Sequence, residues 1–427
     1  MTISLSLVEA RATGDSSADA SGSPAVVEMP AEELQRWFVQ RGEPSWRAHQ
    51  LRRHLFQRGT TDYAAMTDLP LALRQQLQQQ LPLFATTLVQ HRSAPDGTHK
   101  LVLRLRDGHL IECVLIQEQD RATACISTQV GCGMGCVFCA SGLAGVVRNL
   151  TAAEMVEQLL RLRACARRGR LTHIVVMGMG EPLANLQQLL EALRIACDPR
   201  QGLGISQRHV TISTVGLPAR IRQLADSGHH YHLAVSLHAP NDSLRNRIVP
   251  TNRKIGIAAI LSAADYFFQR TGRQVTYEYV LLGGLNDTAA CARELSQLLA
   301  GRKAHVNLIP WNDVPGLPYL RPDSRAIERM IRTLRQAGIS VKVRKRKGAQ
   351  IDAACGQLRR QLISTPPSPG SPTVSPALPD FPQPIDPQGD IIPVTPSALR
   401  PLSSMPPVAP QSEPSDPLTD AAAATAR

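Results

Sequence analysis

The chain has 427 residues, 43% of them hydrophobic, enough for one large α/β domain plus attachments. Its formal net charge is +12, and residues 361–427 carry six acidic residues against two arginines, so the rest holds about +16; that surplus favours a polyanionic partner such as nucleic acid. No apolar run reaches the roughly 18 residues of a spanning helix, and nine cysteines, an odd number with no secretory signal, fit a reducing cytoplasm rather than a disulfide scaffold.

Residues 1–30 are rich in Ser, Ala and Asp without hydrophobic periodicity, which predicts a disordered segment. From 31 to 85, Leu34, Trp37, Phe38, Leu51, Leu55 and Phe56 recur at helical spacing, with breaks at Gly42-Glu43-Pro44 and Gly59. This predicts a small helical accessory domain. Its outer faces would carry Arg36, Arg41, Arg47, Arg52, Arg53 and Arg58, a phosphate-contacting set or simply a solvated face. Residues 86–120 read as strands LVQHR, LVLRLR and LIECVLI, joined by turns at Pro95-Asp96-Gly97 and Asp107-Gly108. Glu112 interrupts the last strand, either facing water on a one-sided sheet, as alternation favours, or sitting in a pocket where its protonation matters.

Cys132, Cys136 and Cys139 form a C-x₃-C-x₂-C triad, and Cys125 stands seven residues ahead of it. Three close thiolates can hold three irons of a four-iron cluster and leave the fourth open. A structural zinc site is the alternative, although it wants a fourth nearby ligand and usually pairs C-x₂-C units; reduced core cysteines are another.

From about 121 to 360, strand-like segments at 173–178, 209–214, 232–238, 275–282, 305–310 and 341–345 alternate with helix-like segments at 151–168, 186–197, 217–228, 255–271, 288–301 and 323–337. With the strand leading into Cys132 as the first, this predicts α/β architecture: a parallel sheet curled into a partial or full (β/α) barrel. Functional groups gather at strand carboxyl ends in such folds. Here those ends carry the cysteine triad, Gly178 to Pro182, Ser213 to Gly216, Ser236 to His238, and Pro310 to Asn312. Residues 361–427 are predicted to be a disordered tail, since 17 of the 32 prolines follow Thr365.

Phe138 within the cysteine triad and the following GMGEP end resemble the radical S-adenosylmethionine superfamily. STQVGC, GMGEPL, HVTISTVGL, VSLHAPND, VNLIPWN and IDAACGQL, in this order between Glu33 and Leu358, resemble the ribosomal RNA adenine-C2 methyltransferase family. The resemblance implies a [4Fe–4S] cluster on Cys132, Cys136 and Cys139. It implies S-adenosylmethionine held by Gly180, Glu181, Ser213, Ser236, Leu237, His238 and Asn312, with glycine letting the backbone approach and Glu181 accepting from an ammonium or hydroxyl. It also implies that Cys355 carries a methyl group from one cofactor molecule, that a radical from a second activates this methyl, and that carbon 2 of adenine receives it. Glu112 then removes the adenine proton, its apolar neighbours raising its pKa, and Cys125 releases the product by forming a disulfide with Cys355. The basic run Lys342, Arg344, Lys345, Arg346 and Lys347 would favour the Cys355 thiolate.

The implied substrates are 23S ribosomal RNA and transfer RNA, with a reductant of flavodoxin or thioredoxin type and no membrane partner. Related adenine-C8 methyltransferases share the reactive groups, and a non-catalytic iron–sulfur RNA-binding protein is a reading from a different class. Gln350 replaces a usual acidic residue and Ser141 a common threonine. The Pro-rich tail has no counterpart in the family pattern.

Overall fold

A computed structural model describes residues 24–344, apart from 144, 313, 315 and 316. Cys355, Gln350 and the basic residues 345–347 therefore lie outside the described residues, as does the Pro-rich tail. The expectation of disorder through residue 30 is corrected at its end. Ala25, Val26, Val27 and Met29 are buried, and the N–H groups of Val26 and Val27 donate to the carbonyls of Pro82 and Leu83 at 2.9 and 3.3 Å. This apolar run is too short to show a period, so the polar composition around it masked it.

Three helices follow: α1 (Ala31–Val39), α2 (Trp46–Arg53) and α3 (Leu71–Gln80). The apolar positions read from the sequence become their common core, with Leu34, Phe38, Leu51, Leu55, Phe56, Leu73 and Leu77 buried. A π-helical turn at His54–Arg58 extends α2, and Gly59 ends it in the left-handed conformation.

Strands β1 (Thr87–Ser93), β2 (His99–Arg104), β3 (Leu110–Gln117) and β4 (Ala122–Cys125) form an antiparallel run. A separate hairpin, β5 (Gln129–Gly131) with β6 (Val146–Asn149), comes next. The chain then alternates through α4 (Ala152–Ala164), β7 (His173–Val176), α5 (Leu186–Cys197), β8 (Val210–Thr214), α6 (Pro218–Asp226) and β9 (His232–Ser236). It continues with α7 (Asp242–Ile248), α8 (Ile257–Thr271), β10 (Val275–Leu281), α9 (Ala289–Leu298), β11 (Ala304–Pro310), α10 (Ser324–Gln336) and β12 (Ser340–Val343).

One ten-stranded sheet has the order β1-β2-β3-β4-β7-β8-β9-β10-β11-β12, parallel from β4 onward. The barrel is partial rather than full, because β4 pairs with β3 and β7 and not with β12. The antiparallel strands thus extend the barrel sheet. One boundary in the sequence reading moves: the first barrel strand is β4, and the cysteine triad follows the small β5 instead of ending that strand.

The strands show why a site forms here. In β8 the order of burial alternates, with Val210, Ile212 and Thr214 buried and Thr211 and Ser213 half-buried; β11 repeats this, with Val306 and Leu308 buried beside half-buried His305 and Asn307. Apolar residues join the main core while the alternate, mostly polar set belongs to the opposite face of the sheet. Helix α4 anchors the preceding segment: buried Glu157 accepts from the N–H groups of Ala85 and Thr86 at 2.9 and 3.1 Å, and Arg163 donates to the Phe56 carbonyl at 2.6 Å.

Candidate active site at the carboxyl ends of the strands

The three cysteines occupy the connection between β5 and β6, and backbone bonds shape it. Cys132 N–H donates to Gly145 O at 2.7 Å, Cys139 N–H to Cys136 O at 3.1 Å, and Val137 N–H to Ile248 O at 3.2 Å. The Trp311 indole donates to Phe138 O at 3.2 Å, joining this loop to the end of β11. Beneath the loop, Phe138, Ala140, Val215, Ala239, Ile248, Val249, Leu282 and Trp311 form an apolar cluster separate from the main core.

All three thiols are half-buried. Burial pushes Cys132 up to about 12, with Cys139 adding repulsion, and raises Cys136 well above the ordinary thiol value, with Cys139 and Cys132 both opposing its ionisation. Ionised together in a partly dry loop, these sulfurs would need a cationic guest. A set of three soft sulfur donors with an apolar floor fits an iron–sulfur cluster.

A cation already stands beside them. Arg245 on α7 has 0% exposure and lies close enough to Cys136 to interact electrostatically. Its guanidinium donates to the carbonyls of Leu237 at 2.9 Å, Val215 at 2.6 Å and Ser236 at 2.9 Å, and to the Asn252 side chain. Burial lowers its pKa to about 10, which still leaves it charged at neutral pH. The helix that carries it begins at Asn241, whose side chain accepts from Leu244 N–H at 2.9 Å. The sequence reading missed Arg245; the available signal was an arginine on the third turn position after the VSLHAPND strand end, in a helix too short to stand out by period.

The strand-end residues converge as expected, with two changes of role. Glu181 is 2% exposed and accepts from Leu183 N–H at 3.0 Å and Val215 N–H at 2.8 Å, so it latches the end of β7 to that of β8. Burial raises its pKa while these bonds oppose the rise. The Thr214 side chain bonds to the carboxylate as well, which leaves it limited capacity to accept from a ligand. Gly178 and Gly180 are required by packing: a Cβ on Gly178 would meet Ile126 O at 2.5 Å, and one on Gly180, which has φ +105°, would meet the Gln129 side chain at 2.7 Å. Their lack of side chains lets the β7 end lie against the segment joining β4 to β5.

Ser213 and Ser236 face each other with hydroxyls 3.4 Å apart, and Leu237 is fully buried. His238 is the one described non-glycine residue with positive φ, +61°. Its Nδ1 accepts from Val280 N–H at 3.1 Å, which assigns the proton to Nε2, and its ring meets Phe138 edge-on at 5.0 Å between centroids. Burial, followed by the charge of Arg245, lowers its pKa to about 3, so the ring stays neutral. Strained backbone held by surrounding bonds is a mark of functional sites. Asn312, half-buried, follows Trp311 beyond β11.

Glu112 and Cys125 occupy neighbouring strands. Cys125 is registered opposite Val114, two residues from Glu112, so both side chains belong to the same face of the sheet. Glu112 does not face water: it is 1% exposed, and its Oε2 lies 3.0 Å from Nζ of Lys100, itself 0% exposed. The expectation of a carboxyl among purely apolar neighbours is corrected, because the neighbouring strand supplies an ammonium. Lys100 sits opposite Val114, diagonal to Glu112, and that cross-strand pairing is invisible along the chain. Burial raises the Cys125 thiol, while Arg344, then the Met177 backbone and Lys100, oppose it. Thus one described member of the expected basic run acts on Cys125.

A second glutamate interrupts an apolar strand. Glu278 on β10 is 5% exposed, accepts from the Asn307 amide at 2.8 Å, and has its pKa raised by burial against the pull of Arg344. The sequence reading passed over it although VTYEYVLL carries the same signature as LIECVLI.

The partial barrel, its polar strand ends and the cysteine loop define a radical S-adenosylmethionine enzyme, and residues 126–291 match the family model of the radical SAM superfamily, which uses a [4Fe–4S] cluster and S-adenosylmethionine. Residues 25–82 match the model of the ribosomal RNA large subunit methyltransferase N-terminal domain. The probable dual-specificity RNA methyltransferase RlmN of Rhodopirellula baltica is 51% identical over 359 residues, covering 84% of this chain and 96% of that protein. Its counterpart in Geobacillus kaustophilus is 42% identical over 338 residues, covering 79% and 92%. A crystal structure of a radical SAM methyltransferase from Sphaerobacter thermophilus superposes with a TM-score of 0.73 at 44% identity, covering 78% of this chain and 99% of that one. The chain belongs to the RlmN family of dual-specificity RNA methyltransferases.

Proposed function

We propose that this protein methylates carbon 2 of adenosine in 23S ribosomal RNA and in transfer RNA. Family membership across 96% of a relative named as a dual-specificity RNA methyltransferase is the observation that carries the reading. Cys132, Cys136 and Cys139 would hold the cluster, which when bound supplies the electron that cleaves S-adenosylmethionine to a 5′-deoxyadenosyl radical. Gly180, Glu181, Ser213, Ser236, Leu237, His238 and Asn312 would hold S-adenosylmethionine. Neutral His238 contributes an Nε2–H donor without adding charge, and Arg245 holds the carbonyl ends of β8 and β9 in place.

Glu112 takes the adenine proton, with Lys100 keeping its carboxylate available inside the sheet. Cys355 carries the methyl group, and Cys125 attacks the sulfur that links protein to RNA, so that release of the base leaves a Cys125–Cys355 disulfide. A thiol and electron donor of flavodoxin or thioredoxin type then restores the reduced enzyme in the cytoplasm. Among the described residues no helix is long and apolar enough to cross a membrane.

The helical domain contributes the RNA grip. Arg36, Arg41, Arg53 and Arg58 are exposed there, whereas Arg47 and Arg52 are half-buried, with Arg47 bonded to Gln50 at 2.7 Å and Arg52 to the Met29 carbonyl at 3.3 Å. Arg58 is paired with Asp68 at 2.9 Å and Arg41 bonded to Gln80 at 3.0 Å, so Arg36 and Arg53 are the most open candidates for phosphate contact. The exposed Trp46, with Arg47 stacked at 4.3 Å, offers an adjacent face for an unpaired base.

Anaerobic reaction of the cluster-loaded enzyme with ribosomal and transfer RNA fragments, followed by mass spectrometry of the nucleosides, tests the proposal. 2-Methyladenosine is the expected product; 8-methyladenosine or no methylated base would overturn it. Cys125→Ala is expected to keep its iron and accumulate a protein–RNA crosslink.

A further inference from the structure

We propose that His91, His99 and Cys165 form a second metal site, for zinc or another soft divalent cation, that clips the β1–β2 hairpin to the end of α4. They are the one group of three His, Cys, Asp or Glu among the described residues whose donor atoms all lie within 4.8 Å of one another. Register brings the two imidazoles together: His91 is opposite Leu101 and His99 opposite Ser93, so they are diagonal neighbours on one face. Cys165 caps α4 over that face.

The distances match the chemistry of three donors around one ion. His91 Nε2 is 3.0 Å from His99 Nδ1 and 4.0 Å from Cys165 Sγ. Tetrahedral zinc, with bonds of about 2.0 Å to nitrogen and about 2.3 Å to sulfur, sets donor separations of about 3.3 Å and about 3.6 Å. The two separations from His91 lie within a few tenths of an ångström of these values, and the third pair is within 4.8 Å. His91 is exposed and the other two are half-buried, so an ion has a path in and a fourth position for water.

A neutral imidazole offers one nitrogen lone pair, and the cation would displace the Cys165 proton and the proton shared between His91 and His99. Arg167 acts on His99 as a like charge, which makes the Cys165 thiolate the ligand that balances the site. Two neutral nitrogens and one thiolate suit zinc better than magnesium or calcium. The consequence is structural. The hairpin carries Lys100 and leads into β3 with Glu112, so a clip here steadies the strands behind that pair.

The test uses the full chain, purified anaerobically with its iron–sulfur cluster loaded so that the cysteine triad is occupied. Zinc is titrated against a chromophoric chelator, and cobalt is used as a spectroscopic substitute. The wild type is expected to take one zinc per chain beyond its iron and to gain thermal stability. Cobalt should give a sulfur-to-metal charge-transfer band. His99→Ala and Cys165→Ser are expected to weaken zinc binding at least tenfold with iron content unchanged, and Cys165→Ser to lose the band. Equal zinc affinity in wild type and both variants, or no zinc-dependent stability and no charge-transfer band in the wild type, would overturn the assignment.

Discussion

Among the described residues Lys100 and Arg245 are fully buried cations, and their surroundings differ. Arg245, between the ends of β8 and β9, bonds to three backbone carbonyls and the Asn252 side chain, so its charge is held mainly by dipoles, with the Asp242 carboxylate acting on it from beyond Asn252. Lys100, on the antiparallel flank, faces the Glu112 carboxylate at 3.0 Å. A buried charge held by dipoles remains available to an anionic neighbour, here Cys136 and whatever its thiolate binds. A buried ion pair is already balanced and orients a reactive carboxylate instead. In the proposed mechanism the cysteine end would receive negative charge, and the flank would exchange a proton.

The largest effect should come from emptying the end that Arg245 serves. Cys136→Ala is expected to lose the iron–sulfur cluster and to form no detectable 5′-deoxyadenosine under anaerobic reduction; iron analysis and product chromatography check both. On the flank, Lys100→Met strands the Glu112 carboxylate without its ammonium and should cost about 4 kcal/mol in urea denaturation. Adding Glu112→Gln to that variant should restore at least half of the loss. Full additivity of the two single changes would mean that the pair is not coupled.

Arg245→Met leaves several buried acceptors without their donor and should cost about 3 kcal/mol by the same measurement. Unlike the flank, no single second substitution should rescue it, because its partners are spread over two strand ends and Asn252.

A perturbation that changes no residue is protonation of His238. Its pKa is depressed to about 3 in the folded chain against about 6.5 when unfolded. The stability this neutral ring contributes is complete above pH 6.5 and is lost as pH falls from there toward its folded pKa. The slope within that window is about 1.4 kcal/mol per pH unit. His238→Gln should remove this component of the slope. An unchanged pH profile would show that the ring is not shielded as its burial implies.

Much of the fold was legible because local physics produces it. Apolar spacing at Leu34, Phe38, Leu51 and Leu55 marked helices that bury those same residues, and the Pro95 to Gly97 and Asp107-Gly108 turns separated three strands that form as read. Helix α7 and the β5–β6 hairpin escaped because seven-residue and three-residue elements have no period to detect. Glu278 escaped for another reason: a glutamate inside an apolar strand reads alike whether its partner is water, an amide or a cation.

The sequence by itself determined the composition of the site: a cysteine triad, polar strand ends and an acidic residue in a strand, in an order that identifies the family. Residue type and spacing are local quantities, and chemistry that depends on them can be read along the chain. Tertiary structure alone decided which charges meet. Lys100 reaches Glu112 across a strand pair, Glu181 latches Val215, Arg245 gathers the carbonyls of Val215, Ser236 and Leu237, and His91 and His99 meet Cys165 from another element. Each of these depends on strand register or helix docking, which arises only when the sheet is assembled and its helices are packed against it.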